Sequence, residues 1–235
     1  MNISQYRTSI AIDYRKVCST VMILMYISGT IGLLLPVTQP YFKLLSAFNL
    51  WISLLLLLFF HQDFNKSFII ISLLIFFCGF FVEVLGVNTG VIFGHYWYGH
   101  TLGTKLLGVP LVIGANWLLL VYCSSVVTQT STKIISKKLL LKSVDTPTWL
   151  KALFSATLMV TLDLLIEPVA IRLDFWHWYQ EQIPAQNYQA WFLLSFVLSY
   201  LFLNGKFLRN NPLAPLLLLL QFLFFLIINL YFLFF

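Results

Sequence analysis

The chain has 235 residues, 60% of them hydrophobic and 9% charged, with a formal net charge of +6. Soluble domains carry about 25% charged residues, so this composition excludes an ordinary one. The positive charge does not indicate a nucleic-acid partner. With the N-terminus cytoplasmic, only Lys43, Lys105 and Arg172 of the fourteen Lys and Arg residues fall on the outer side, which is the asymmetry of the positive-inside rule.

A hydrocarbon layer about 30 Å thick takes about 20 apolar residues in helical form. Runs of about that size lie at Val17–Leu35, Leu44–Phe60, Phe68–Leu85, Val109–Thr128, Trp149–Ile171, Ala190–Leu203 and Ala214–Phe235, the sixth being short. They lack the alternation and regular turn signals of membrane strands. The expected fold is all-α: a polytopic transmembrane bundle of about seven helices, N-terminus cytoplasmic, forming a single integral membrane domain over residues 1–235. Cys18, Cys78 and Cys123 all fall within spans, which argues against a disulfide framework.

In chain order, residues 1–16 form a basic lead, and the first run is a retained helix rather than a signal peptide. Ser28, Gly29, Thr30 and Gly32 give that helix a close-packing face. Pro36 and Pro40 bracket an outer turn, and His61-Gln62-Asp63 is expected as a solvated inner turn. The third span ends with Glu83. After it, residues 86–108 hold Gly86, Gly90, Gly94, Gly99, Gly103 and Gly108 among apolar and aromatic residues, predicting a re-entrant or surface-lying segment. Pro110 suits the first turn of the fourth helix. Residues 129–148, with Lys133, Lys137, Lys138 and Lys142, make the longest inner loop, and Asp145-Thr146-Pro147 is a helix-start signal. The fifth span carries Asp163 and Glu167, then Pro168, which predicts a kink. Trp176-His177-Trp178 and the stretch from Ile183 to Asn187 follow in an outer loop. Glu167, Arg172 and Asp174 could form an ion-pair network.

Helical rise places Glu83, Asn116, Asp163 and Glu167 at similar depth in the outer half of the bilayer. Tyr96, Tyr98, Trp176, Trp178 and Trp191 sit above them. Interfacial aromatics have a membrane-belt explanation, but ionisable residues inside a span mark function by default. A carboxyl group in an apolar pocket keeps its proton and can protonate an alkene. Aromatic faces stabilise the resulting cation, and water or an internal double bond then adds to it. Hydration and cyclisation of polyenes use the same parts. A metal held by His95, His100, His177 and Glu83 is the less favoured reading, and no phosphate loop, dinucleotide fingerprint or nucleophile elbow is present.

The segment Glu83-x-x-Gly86-x-x-Thr89-Gly90-x-x-Phe93-Gly94-x-Tyr96-x-Tyr98 resembles the signature of the CruF-type carotenoid biosynthesis membrane proteins. So do Asp163-x-x-x-Glu167-Pro168 with Trp176-x-Trp178, and Ile183-Pro184-x-x-Asn187-Tyr188-x-x-Trp191. The resemblance implies a multi-pass protein of the cell membrane. It further implies a cofactor-independent hydratase that adds water to the terminal C=C of an acyclic carotenoid end group. Its partners would be the carotenoid within the bilayer, membrane lipids, and other membrane enzymes of the pathway. On this reading Asp163, Glu167 and Glu83 are catalytic and no metal is bound. Asn116, Tyr96, Tyr98, Trp176, Trp178, Asn187 and Trp191 contact substrate. An end-group cyclase and a non-catalytic isoprenoid carrier or transporter are the competing readings.

Overall fold

The computed structural model describes the backbone of residues 3–138 and 146–234, and the side chains of 14–136 and 146–234. It contains seven α-helices: α1 (Ile3–Leu34), α2 (Gln39–Phe59), α3 (Lys66–Thr89), α4 (Val112–Lys138), α5 (Thr148–Arg172), α6 (Ala185–Asn204) and α7 (Ala214–Phe234). All but α6 are long and apolar enough to cross a membrane. The exception carries Asn187, Gln189, Ser195 and Ser199 among its apolar residues.

The bundle is built around α4. Its most apolar stretch is 83% buried, against 22% for α1, α2 and α7. A helix apolar on every face belongs in the middle of such a bundle, and α4 touches α2, α3, α5, α6 and α7. The outer helices turn their Leu, Ile and Phe side chains outward, among them Phe48, Leu55, Ile70 and Leu219. Cys18, Cys78 and Cys123 are free thiols.

Several boundaries differ from the sequence reading. Helix α1 begins at Ile3, inside the expected lead. Pro40 lies in the first turn of α2, where its missing N–H costs nothing. Helix α3 continues to Thr89, so Gly86 belongs to it; Gly90 then closes it in a left-handed conformation with φ 69°. Pro110 does not start α4. It sits in strand β3 (Val109–Pro110), opposite Lys105 in strand β2 (Lys105–Leu106). Helix α4 runs on to Lys138, so Lys133, Lys137 and Lys138 are helical; Lys142 and Asp145 lie outside the described residues. Pro168 leaves α5 as one helix. Near it the Asn229 amide of α7 donates to Leu165 O at 2.7 Å, a bond of the kind that compensates a proline-disturbed turn.

At the end of the bundle away from the carboxylates, His61 is not a solvated turn residue. It is 6% exposed and stacks on Phe68 at 3.6 Å between ring centroids. Nε2 lies 2.9 Å from the Asp63 carbonyl, which can only accept, so Nε2 carries the proton. Nδ1 therefore accepts from the Tyr122 hydroxyl at 2.8 Å, and that hydroxyl accepts from Asn211 at 3.0 Å. Both ring nitrogens are matched to the neutral imidazole. Burial holds the His61 pKa below its ordinary value of 6.5. The unfolded chain therefore binds the proton more readily. Stability should be full above pH 6.5 and fall as pH drops through the lower folded value. Thermal melts in detergent between neutral and mildly acidic pH check this, and His61→Leu should flatten the dependence.

Candidate active site

Two short strands hold the site together. Strand β1 (Tyr96–Tyr98), in the α3–α4 connection, pairs antiparallel with β4 (Trp176–Trp178), in the α5–α6 connection. The pairs are Tyr96 with Trp178, Trp97 with His177, and Tyr98 with Trp176. Side chains alternate across a strand. Tyr96, Tyr98, Trp176 and Trp178 therefore turn towards the helices, while Trp97 and His177 stack on the outside at 5.8 Å. The expected re-entrant segment is thus a strand followed by a small β2–β3 hairpin.

Asp174 buckles the two connections. Its carboxylate accepts from the His100 N–H at 2.9 Å and from His177 Nε2 at 2.8 Å. Partial burial opposes ionisation, but these bonds hold the Asp174 carboxyl below its usual value. Arg172 takes no part: it donates to Phe232 O at 3.0 Å and lies over the Phe232 ring. The expected Glu167–Arg172–Asp174 network therefore does not form; Glu167 bonds to neutral donors instead.

Glu83 is 3% exposed and accepts three hydrogen bonds. Oε2 receives the hydroxyls of Tyr96 at 2.5 Å and Tyr98 at 2.9 Å, and Oε1 receives Trp117 Nε1–H at 3.1 Å. The local sequence makes room for this. Gly79 lies one helical turn before Glu83 on the same face, and any Cβ there would collide with the Trp117 ring. Gly86 leaves space for the Phe93 ring and the Tyr96 hydroxyl. Burial beside this carboxylate raises the hydroxyl pKa of both Tyr96 and Tyr98, so they remain donors.

Glu167, one turn beyond Asp163 on α5, is 1% exposed and also accepts three bonds. Trp176 and Trp178 donate indole N–H groups to Oε2 at 3.0 and 2.7 Å, and Asn187 donates to Oε1 at 3.1 Å. The same Asn187 amide reaches Asp163 Oδ2 at 3.1 Å. Asp163 Oδ1 is buried and has no partner among the described residues. Asn187 owes its position to Ile183-Pro184: the extended Pro184 starts α6 and puts Asn187 in its first turn. Gln186 ties that turn to the Val91 and Ile92 carbonyls.

These groups surround a chamber of about 20 Å³ lined by Glu83, Glu167, Asn116, Asn187 and the aromatic residues, enough for one water molecule. The structure brings together Glu83, Glu167, Asn116, Asn187, Tyr96, Tyr98, Trp176, Trp178 and Trp191. Asp163 stands behind Asn187, off the lining. Trp191 stacks on Trp117 at 4.2 Å rather than capping the carboxylates directly. Trp117 itself was not singled out from the sequence. Its position at the depth of Glu83, with Gly79 four residues before that carboxylate, is the signal that points to it. Among the described residues no three His, Cys, Asp or Glu side chains gather as a metal site.

Fold and site define a multi-pass membrane protein with a carboxylate chamber at one end of its helical bundle. A family model described as carotenoid biosynthesis protein matches residues 39–235, and the chain belongs to that family. It is also similar to the bisanhydrobacterioruberin hydratase of Haloarcula japonica, with 28% identity over 177 residues, covering 70% of this chain and 54% of that protein. The chain thus spans about half the length of this curated relative. No solved structure matches it.

Proposed function

We propose that the chain is a carotenoid-modifying enzyme of the cell membrane, acting as one domain. The reaction is a hydro-lyase reaction run as hydration: water adds to the terminal C=C of an acyclic end group. The carrying observation is the asymmetry of the hydrogen-bonded carboxylates. Glu83 accepts from three donors, the pattern of an acceptor-only, ionised group, whereas Glu167 shares one of its three, the Asn187 amide, with Asp163. Asp163 alone keeps a free oxygen. Two carboxyl groups that share the Asn187 amide in an apolar medium do not both ionise. The Asp163–Glu167 pair holds one proton between them, and Glu167 is the member that fronts the chamber.

The pair's proton adds to the less substituted alkene carbon, so the cation forms at the more substituted one. Trp176 and Trp178 flank the cation with their ring faces, and ionised Glu83 lowers its energy. A water held by Asn116 and Glu83 forms the new C–O bond, and its surplus proton returns to the pair. No electrons are exchanged, so the residues themselves suffice for the chemistry. The family assignment and the name of the 28% identical relative agree with this reading.

The test is mass spectrometry of pigments from a host making acyclic carotenoids, with and without this gene. A gain of one water per free acyclic end is expected. An unchanged mass with a shifted absorption spectrum would make the protein a cyclase, and unaltered pigments would leave a carrier.

A further inference from the structure

A second, larger cavity of about 250 Å³ lies between the α1–α2 hairpin and helices α4, α5 and α7. Its walls are apolar and aromatic, with Phe42, Phe224, Phe225 and Trp176 prominent. It faces outward where Ser28, Phe48 and Ile52 stand exposed on α1 and α2. Three residues, Ile113, Asn116 and Trp176, line both this cavity and the carboxylate chamber. The two spaces therefore adjoin at these three residues. One of them, Trp176, is also hydrogen-bonded to Glu167.

We propose that this cavity is the binding site for the polyene arm of the substrate, loaded sideways from the bilayer along the α1–α2 seam. The inference rests on the carotenoid reading above and assigns the place where the chain lies. Pockets for drug-sized ligands span roughly 300–1,000 Å³, so a cavity of about 250 Å³ takes an end segment, with the rest of a long polyene remaining in lipid. The end group reaches Asn116 and Trp176, where the cavity adjoins the water-sized chamber. Lipid tails are as apolar as the cavity wall, so burial of apolar surface gives no preference over an acyl chain. Selection falls to shape and to the aromatic faces, which suit a stiff conjugated chain.

Gly29 offers the means of testing this. A Cβ at Gly29 would meet the Phe224 ring at 3.5 Å, an ordinary contact, so alanine fits and a longer side chain must grow into the cavity. Ser46 lines the cavity from α2. The probe is lycopene, offered to the purified protein in phosphatidylcholine nanodiscs. Lycopene is achiral and shows visible circular dichroism only when an asymmetric site holds it. The wild type, Gly29→Ala and the inactive Asp163→Asn variant should all give the induced signal. In Gly29→Leu and Ser46→Phe, overfilling should weaken binding about tenfold or more. The two substitutions act from different helices, so misfolding of one leaves the other to decide. Wild-type signal in a folded overfilled variant, or no signal in the wild type, overturns the cavity assignment. An induced signal lost on overfilling, with no water added to pigments in cells, would keep the cavity and reject hydration. Water added equally well by the overfilled variants would keep hydration and reject the cavity.

Discussion

Replacing Asp163 by Asn, or Glu167 by Gln, is expected to reduce hydration of an acyclic carotenoid by about 10²–10⁴-fold, the usual contribution of a positioned general acid. Both substitutions preserve shape. In Asp163→Asn the remaining oxygen still accepts from the Asn187 amide. In Glu167→Gln the remaining oxygen serves the two indoles and the bond from Asn187 is lost, while that amide keeps Asp163. The α5–α6 contact should therefore survive and the protein should remain folded in the membrane. What is lost is the shared proton. Quantifying hydrated product per unit of membrane protein measures the effect, with thermal melting as the control. Near wild-type turnover in both variants would remove the pair from proton delivery. A loss in Glu167→Gln alone would put the whole role on the residue that faces the chamber.

Glu83 should separate structure from chemistry. Glu83→Leu strands two tyrosine hydroxyls and an indole N–H in the interior. Each stranded donor costs about 1–3 kcal/mol, and together they rival a typical stability of about 5–15 kcal/mol. That variant should melt far earlier or fail to accumulate. Glu83→Gln keeps one acceptor oxygen and should fold. It lacks the negative charge facing the cation, so turnover should drop about 10²–10³-fold, as when one preorganised electrostatic group is removed. A folded Glu83→Gln enzyme with unchanged turnover would make Glu83 an anchor for β1 and nothing more.

Much of this arrangement was legible in the sequence because membrane physics is severe. Runs of apolar residues have one stable backbone conformation in lipid, so seven helices could be read from hydropathy. Costly carboxylates at matching depth marked the candidate site, and two of the three line the chamber. The β1–β4 pairing was not legible. Three residues of alternation in Tyr96-Trp97-Tyr98 look the same as an aromatic belt, and the partner strand lies some eighty residues away. His61 was misread because its anchor, Tyr122, comes from the middle of another helix. The end of α3 was placed early because Gly86 suggests a break, whereas its actual use is to admit the Phe93 ring. The larger cavity involves five helices and the α5–α6 connection at once, and no local pattern encodes such a space.

The hydrogen bonds of the three carboxylates also bear on how the chain is made. Glu83 is satisfied by residues 13, 15 and 34 positions further along. Glu167 is satisfied by residues 9, 11 and 20 positions on, and Asp163 receives its one bond, from Asn187, from 24 positions on. None of these bonds crosses between the first four helices and the last three. During synthesis each carboxylate therefore finds its donors within a hairpin or so of its own appearance, before the two parts of the chain have docked. The growing protein need not hold an unsatisfied acid in lipid while it waits for distant segments. What remains for the final docking is the β1–β4 clasp, which closes the chamber over groups already in place.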